Sequence, residues 1–471
     1  MLAFLKAVNG AVWGVPTLGL ILVVGIFMST RAAFPQLTLF PRALASFFSQ
    51  FRSRRSSSGI SQYQALCTAL AATVGTGNIA GVAGAITLGG PGAIFWMWIC
   101  AFFGMVTKFA EASLAIRYRR KDKSGEYIGG PMYYIQSGLG PKWRWLASLY
   151  CFFGIMAAFG VGNATQINAV VTGIHSAVNA LGGHAGRQLD MVVTILLAVV
   201  IVSMLLGGAR RIGIVAERLV PFAAVAYLIL GAGVLVLRWQ ALPACFAMIF
   251  QGAFSPQAVT GGFIGSFFTS LRVGASRGVF TNEAGMGTAA IAHAAADVEH
   301  PVQQGMMGIM EVFLDTVVIC TMTALVILAS GIPIPYGMDV GAALTAEAFS
   351  SVYGSWATAA LSLALCCFAL ATVLGWGLYG MRCAQYLFGE KNWRIFVYLQ
   401  GFIVLAGGFL QTGTVWLLSE IVNGLMAIPN LIALTALIPE LVHLTQSYRQ
   451  QKWQDTAMGG TYENIHQCKS L

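Results

Sequence analysis

A polar, glycine-rich knot, Gly75-Thr76-Gly77-Asn78, interrupts an apolar stretch that runs from about residue 60 to residue 87. Lipid supplies no water to satisfy loose backbone groups, so irregular chain at that depth persists only where it is buried in protein or lines a cavity. The sequence therefore predicts a broken membrane-spanning helix inside a bundle that shields the break. Such a break exposes N–H groups at one half-helix terminus and carbonyl groups at the other. Together these can hold an anionic carboxylate and a small cation.

Composition places the knot in a polytopic membrane protein. Of the 471 residues, 57% are hydrophobic and 9% charged, with a mean hydropathy of +0.74; a soluble domain carries about 25% charged residues. The net charge of +10 follows from basic residues gathered in loops between apolar spans, and no nucleic-acid partner is expected. Apolar windows of about 20 residues fall near 11–30, 60–87, 91–116, 144–172, 189–207, 212–237, 259–285, 302–330, 355–380, 395–411 and 413–440. This predicts an all-α membrane protein with about 11 transmembrane helices. Leu242 to Phe254 is too short to span, and Gly341 to Ser351 reads as an amphipathic surface piece.

Charge orients the stack. The loop after the first span carries Arg31, Arg42, Arg52, Arg54 and Arg55 without an acid, and the loop after the third carries Arg117, Arg119, Arg120, Lys121, Lys123, Lys142 and Arg144. The positive-inside rule puts both in the cytoplasm. The N-terminus is then outside, and the tail with Arg449, Lys452 and Lys469 is inside, in a multi-pass protein of the cell inner (plasma) membrane. The first apolar stretch is long and has a basic stop-transfer flank, so it is read as a span and not as a signal peptide.

Setting the first span aside leaves ten, which divide into two sets of five in opposite orientation. The expected organisation is an extra N-terminal helix and basic loop over 1–58, a first five-helix repeat over 59–240, a second over 241–445, and a cytoplasmic tail over 446–471. The second repeat also opens with an interrupted helix, broken near 274–287, where an apolar run gives way to Arg272-Val273-Gly274-Ala275-Ser276-Arg277-Gly278. Paired breaks at corresponding positions point to a binding site at the midplane, the arrangement of secondary transporters.

The segment Gly89-Gly90-Pro91-Gly92-Ala93-Ile94-Phe95-Trp96-Met97-Trp98 resembles the signature of the alanine or glycine:cation symporter family. The chain is similar to that family in Gly75-Thr76-Gly77-Asn78-Ile79-Ala80-Gly81, in Arg277 to Gly287, in Phe313-Leu314-Asp315-Thr316 and in Leu374-Gly375-Trp376. The resemblance implies a LeuT-like core of two inverted five-helix repeats plus one extra N-terminal helix. It also implies sodium- or proton-driven uptake of small neutral amino acids by alternating access. Two departures stand out. Where the family has two neighbouring hydroxyl residues in the ninth span, this chain has Ala371 before Thr372, and Gly380-Met381-Arg382-Cys383 replaces the usual Gly-Glu-Arg-Cys.

A zwitterionic amino acid needs donors for its carboxylate and acceptors for its ammonium. Free backbone over Gly75, Thr76, Gly77 and Asn78 supplies both, and the glycines allow close approach. Asn78 either contacts substrate through its amide or caps the second half-helix, two compatible roles. In span four, Gln166 is read as a substrate contact and Asn168 as a bridge between helices, with bridging by both as the alternative. Gly278 joins the substrate set from the second break, and Trp376 is read either as a wall limiting side-chain size or as packing. For the cation, the Thr372 hydroxyl joins carbonyls near Thr73, Val74 and Ala369, since hard cations take oxygen ligands; back-bonding of Thr372 to its own helix is the alternative.

Buried charges need partners. Glu311 and Asp315, four apart on one helix face, are expected to pair with Arg272 or Arg277 as a latch at the cytoplasmic half of the second break, or to carry a proton. Glu283 belongs to the same set, and Lys108 with Glu111 reads as a snorkelling pair. The nine cysteines and six histidines show no metal-ligand spacing, and no phosphate-binding loop or nucleophile with base is recognisable. Neither an enzyme nor a cofactor beyond the coupling ion, Na⁺ or H⁺, is expected. The other partners are a small neutral amino acid and membrane lipid, with the monomer as the working unit.

Overall fold

The computed structural model describes residues 2–50, 59–123, 125–180, 182–184, 186–390, 392–408 and 412–451. Arg52, Arg54, Arg55 and the tail beyond residue 451 lie outside them. Among the described residues the chain is mostly helical, and its one sheet is a small antiparallel hairpin of Arg120–Lys121 against Tyr127–Ile128. Eight of the described helices are long and apolar enough to cross a membrane, and the bent pair Gln62–Thr73 and Gly77–Gly89 makes nine. The other two expected spans are shorter. One is divided into pieces of 16 and 6 residues, and Trp393–Gly407 has 15, ~22 Å of helix against a hydrocarbon core of about 30 Å.

The first break lies at the sequence knot. Ser61 and Gln64 form a capping box that starts Gln62–Thr73, and the helix ends where Val74 turns extended. The chain resumes as a widened turn over Gly77–Gly81 and continues in Val82–Gly89, bent by 54° from the first half. Similar π-type turns occur at Gly160–Ala164 and Phe313–Cys320. Such bulges leave backbone groups off the regular ladder and gather at functional positions.

The second break is narrower than its sequence suggests. Phe267–Asn282 is one uninterrupted helix, and the interruption covers only 283–287 before Thr288–His293. Gly274 and Gly278, expected in the break, sit inside the helix. A methyl group on Gly274 would stand 2.3 Å from the Ala93 carbonyl oxygen, and one on Gly278 would stand 3.4 Å from Met97 and Cys100. Both glycines let Phe267–Asn282 lie close against Ala93–Arg117. The actual break has Glu283 (φ 53), Gly285 (φ 92) and Gly287 (φ 76) in left-handed or related conformations. Glycine takes these freely, but a residue with a Cβ adopts them rarely.

The basic loops share one end of the molecule. Arg449 bonds the carbonyls of Ala32 and Ala33 and the Thr38 hydroxyl, Arg117 pairs with Glu440, and Asp297 N–H donates to the Ile60 carbonyl. Arg382, beside the departure at Met381, reaches the hairpin through Glu126 at 3.1 Å. At the opposite end, Gly337 N–H donates to the Thr87 carbonyl.

Helix Pro301–Val312 also packs on Ala93–Arg117 through Gly308, where a methyl group would stand 2.7 Å from the Lys108 carbonyl oxygen. Gly308→Leu should therefore force the two helices apart and cost about 1–3 kcal/mol. A lowered unfolding temperature in detergent, compared with an unchanged one for leucine at Gly19, where nothing lies within 4 Å, checks it.

Candidate binding site at the helix breaks

Asn78 holds the first break together. Its Oδ1 accepts from Gly75 N–H at 2.8 Å, and its Nδ2 donates to Asp315 Oδ1 at 2.6 Å and to the Asp315 carbonyl at 3.2 Å. The Thr323 hydroxyl donates to the Asn78 carbonyl at 2.8 Å. The amide is thus engaged by protein on both sides. The expected cap on the second half-helix does not form, since the bond made by Oδ1 goes back to Gly75 and the second half-helix has no side-chain cap. From Asp315 the bonding continues into the second break: the Thr316 hydroxyl donates to Asp315 Oδ2 at 2.8 Å, Asn282 Nδ2 donates to the Thr316 oxygen at 3.2 Å, and Asn282 Oδ1 accepts from Ala284 N–H at 3.0 Å. One buried chain, Asn78–Asp315–Thr316–Asn282, ties the two breaks together.

Around Gly75 the expected residues converge. A methyl group there would stand 2.7 Å from Thr372 Oγ1 and 4.0 Å from Gln166 Oε1. The Thr372 hydroxyl donates to its own helix at Phe368, 3.0 Å away, which leaves its lone pairs facing Gly75. Gln166 Nε2 donates to the Val161 carbonyl at 3.1 Å and to Thr76 Oγ1 at 3.4 Å, while Gln166 Oε1 is buried with no hydrogen-bond partner. Gly77 lies over Thr281, a methyl group there meeting Thr281 Cγ2 at 2.9 Å. Thr73 back-bonds to Ala69, Val74 ends the half-helix, and Ala369 is buried one turn before Thr372. Ala371, four residues before Gly375, shares the flank on which Gly375 meets Ala72.

Gly278 and Trp376 make packing and hydrogen-bond contacts of their own. Gly278 packs against Ala93–Arg117, away from the first break. Trp376 lies against Gly162 and donates through Nε1 to Glu283 Oε1 at 3.0 Å; it secures the left-handed Glu283, whose other oxygen accepts from Thr288. Asn163, also in span four, bridges helices by donating to the Gln400 carbonyl at 2.9 Å.

The expected latch does not form. Arg277 pairs with Asp339 at 3.1 Å, at the end opposite the basic loops, and Arg272 lines an open cavity of about 280 Å³ with Lys6, Asn9, Trp13 and Glu420. Both arginines precede the break on Phe267–Asn282. Glu311 takes Lys108 at 2.9 Å and His293 at 3.0 Å. Lys108 is fully buried and does not snorkel. Its presumed partner Glu111 accepts instead from the N–H groups of Gly285 and Gly287, each at 3.0 Å, and from Asn430 Nδ2 at 2.8 Å. Glu111 thus anchors the second break as Asn78 anchors the first.

Two broken helices are thus cross-linked inside a helical bundle, with an unsatisfied acceptor beside one break. The solved structure of MhsT in complex with L-phenylalanine shares the fold at a TM-score of 0.54 and 14% identity, covering 83% of this chain and 100% of that one. The sodium:alanine symporter family profile matches residues 1–460, and the chain belongs to that family. It is 42% identical over 454 residues to the sodium/alanine symporter AgcS of Methanococcus maripaludis, covering 95% of this chain and 97% of the relative. It is 37% identical over 447 residues to the probable sodium/glutamine symporter GlnT of Bacillus subtilis, covering 94% and 90%.

The cross-link between the breaks has a measurable energy. Asn78→Leu leaves the Asp315 carboxylate buried without its main donor and should cost about 3 kcal/mol. Adding Asp315→Leu should restore part of that loss, because the two changes are not independent. Unfolding of the two single variants and the double variant in detergent checks this, and additive losses would show that the residues act separately.

Proposed function

We propose that the protein imports small neutral amino acids, alanine and glycine, together with Na⁺. The observation that carries this reading is Gln166 Oε1, a buried acceptor without a partner, 4.0 Å from the position a methyl group would take on Gly75. Leaving such a group unsatisfied costs about 1–3 kcal/mol, and the ammonium of an amino acid supplies the missing donor. The polar backbone of the break receives the carboxylate. Thr372, its lone pairs turned to Gly75, contributes a hydroxyl oxygen to the cation beside the chain end at Thr73 and Val74, and Ala369 contributes its carbonyl. The basic end of the molecule lies in the cytoplasm, with the N-terminus outside, and the monomer is the working unit.

Transport proceeds by alternating access: cation and substrate bind at the break, the outer path closes, and the broken helices rock against the remaining bundle. With one Na⁺ per cycle, a potential of about 100 mV contributes ~2.3 kcal/mol and a tenfold gradient contributes ~1.4 kcal/mol. The ceiling on accumulation is then roughly 500-fold.

Uptake of labelled alanine into liposomes holding only this protein, run under separate sodium and proton gradients, tests the reading. Uptake should follow sodium, and accumulation driven by protons with no sodium present would overturn the coupling. Gln166→Leu should abolish alanine-dependent thermal stabilisation while leaving the protein folded, since a ligand that binds only the native state must raise its stability. Thr372→Val should raise the sodium concentration for half-maximal uptake, and Ala371→Ser, which restores the second hydroxyl, should lower it. Glutamine outcompeting alanine would assign the protein to the other substrate class among its relatives.

A further inference from the structure

At the basic end of the molecule the inner halves of the two broken helices are joined. Asp297 N–H donates to the Ile60 carbonyl at 2.8 Å, just before Gln62–Thr73 begins, and Ala296 and Ile60 form an isolated parallel bridge. Ala65, Ile116 and Ala296 pack at this seam as a small buried cluster separate from the main core. The residues on either side of the small hairpin cover it. A methyl group on Gly129 would stand 2.6 Å from Ala294 Cβ, and one on Gly130 would stand 2.7 Å from Ile291 Cγ1, so both glycines press against the inner half-helix Thr288–His293 and its end. Arg119 reaches in from the other side of the hairpin. Its Nη1 donates to the Ala294 carbonyl at 3.3 Å and to the Ala296 carbonyl, and its guanidinium lies 3.7 Å from the centre of the Tyr127 ring. Ala294 is the C-cap of Thr288–His293, where carbonyls lack partners within the helix.

We propose that Arg119 is the positioning residue that clasps the inner halves of the two broken helices together, so that release of substrate to the cytoplasm requires its hold to break. This rests on reading the breaks as the transport site and the basic end as cytoplasmic. Alanine side chains at 65 and 296 give the seam little apolar area, and apolar burial scales with area, so polar contacts carry much of its closure. Hydrogen bonds from an ionised donor are the stronger kind. The guanidinium is permanently charged and stacks on an aromatic face, which fixes it over the two carbonyls. One of these belongs to Ala296, the residue that bridges to Ile60, and the next residue, Asp297, supplies the N–H that Ile60 accepts. A hold on the end of the second inner half-helix is therefore also a hold on the start of the first. The outer halves close through other residues. There Arg277 pairs with Asp339 beside Gly84, and Gly337 N–H donates to the Thr87 carbonyl. Arg119 acts on one side of the membrane alone.

Two readouts on the full-length protein test this. Hydrogen–deuterium exchange compares the peptide holding Asp297, whose amide spans the inner seam, with the peptide holding Gly337, whose amide reaches Thr87 at the outer end. Arg119→Ala should speed exchange at the first about tenfold, the weight of one hydrogen bond to a charged group, and leave the second unchanged. Tyr127→Leu, which keeps Arg119 and removes the ring beneath it, should have the same effect to a smaller extent, and Lys142→Gln, at an exposed loop cation, should have none. Unchanged exchange at Asp297 in both hairpin variants, faster exchange at both peptides, or the same rise in Lys142→Gln overturns the clasp. The second readout is sided. In membrane vesicles of each orientation, Arg119→Ala should lower the half-saturating alanine concentration at the cytoplasmic face by up to about tenfold, because the population open to that face rises, and should not lower it at the outer face. A cytoplasmic value that is unchanged or raised, or a fall at both faces, overturns the role in release. Wild-type vesicles that carry no alanine from either face would sink the substrate reading instead, and the exchange data would still decide the clasp.

Discussion

The structure depends on a hydrogen bond that water cannot replace, between Asn78 Nδ2 and the Asp315 carboxylate at 2.6 Å, both residues fully buried. A break in a membrane helix frees backbone groups where no solvent reaches them. Asn78 answers that locally by accepting from Gly75 N–H, and then passes the obligation to Asp315. A charge in the bilayer centre costs on the order of 2.5–3.5 kcal/mol on insertion scales, so Asp315 is tolerable only with Asn78 and Thr316 both donating to it. The same chain reaches Asn282, which makes the two breaks one mechanical unit.

The second break is organised on the same principle with different residues. Glu111 gathers two backbone N–H groups and the Asn430 amide, and Tyr134 donates to Asn430 in turn. Glu283 takes Trp376 and Thr288. Glu111 and Glu283 thus draw donors from several helices, which makes the polar centre specific for one arrangement of the bundle. Gln166 Oε1 and Glu111 Oε2 are among several buried acceptors that this network leaves without a partner. The first of them lies where the ligand is proposed to bind.

How much was legible in the sequence follows from the range of each interaction. The first break was readable because Gly75 to Asn78 offends the apolar pattern around it, and the family motifs identified the chain's relatives directly. Thr372 was picked out by that resemblance, and Gln166 by its place in the polar run of span four. The second break was drawn too wide because Gly274 and Gly278 leave the same local signature whether they unwind a helix or let two helices touch. The ion pairs were misassigned because spacing along one helix was the only guide: Glu311 and Asp315 were matched to Arg272 and Arg277, whereas Arg277 finds its partner 62 residues away in a loop and Lys108 finds Glu311 at a separation of 203. His293 carried no signal at all, since a lone histidine in an alanine-rich segment becomes informative only when Glu311 is folded against it.

The central claim is that the gap between Gly75 and Gln166 is the amino acid site. An experimental structure of the protein with alanine and sodium tests it most directly. The account predicts ligand density at the first break, with the ammonium within hydrogen-bond reach of Gln166 Oε1 and the Asn78–Asp315 bond intact. Alanine bound instead in the cavity of Lys6, Arg272 and Glu420, with Gln166 Oε1 still unpartnered, would contradict it.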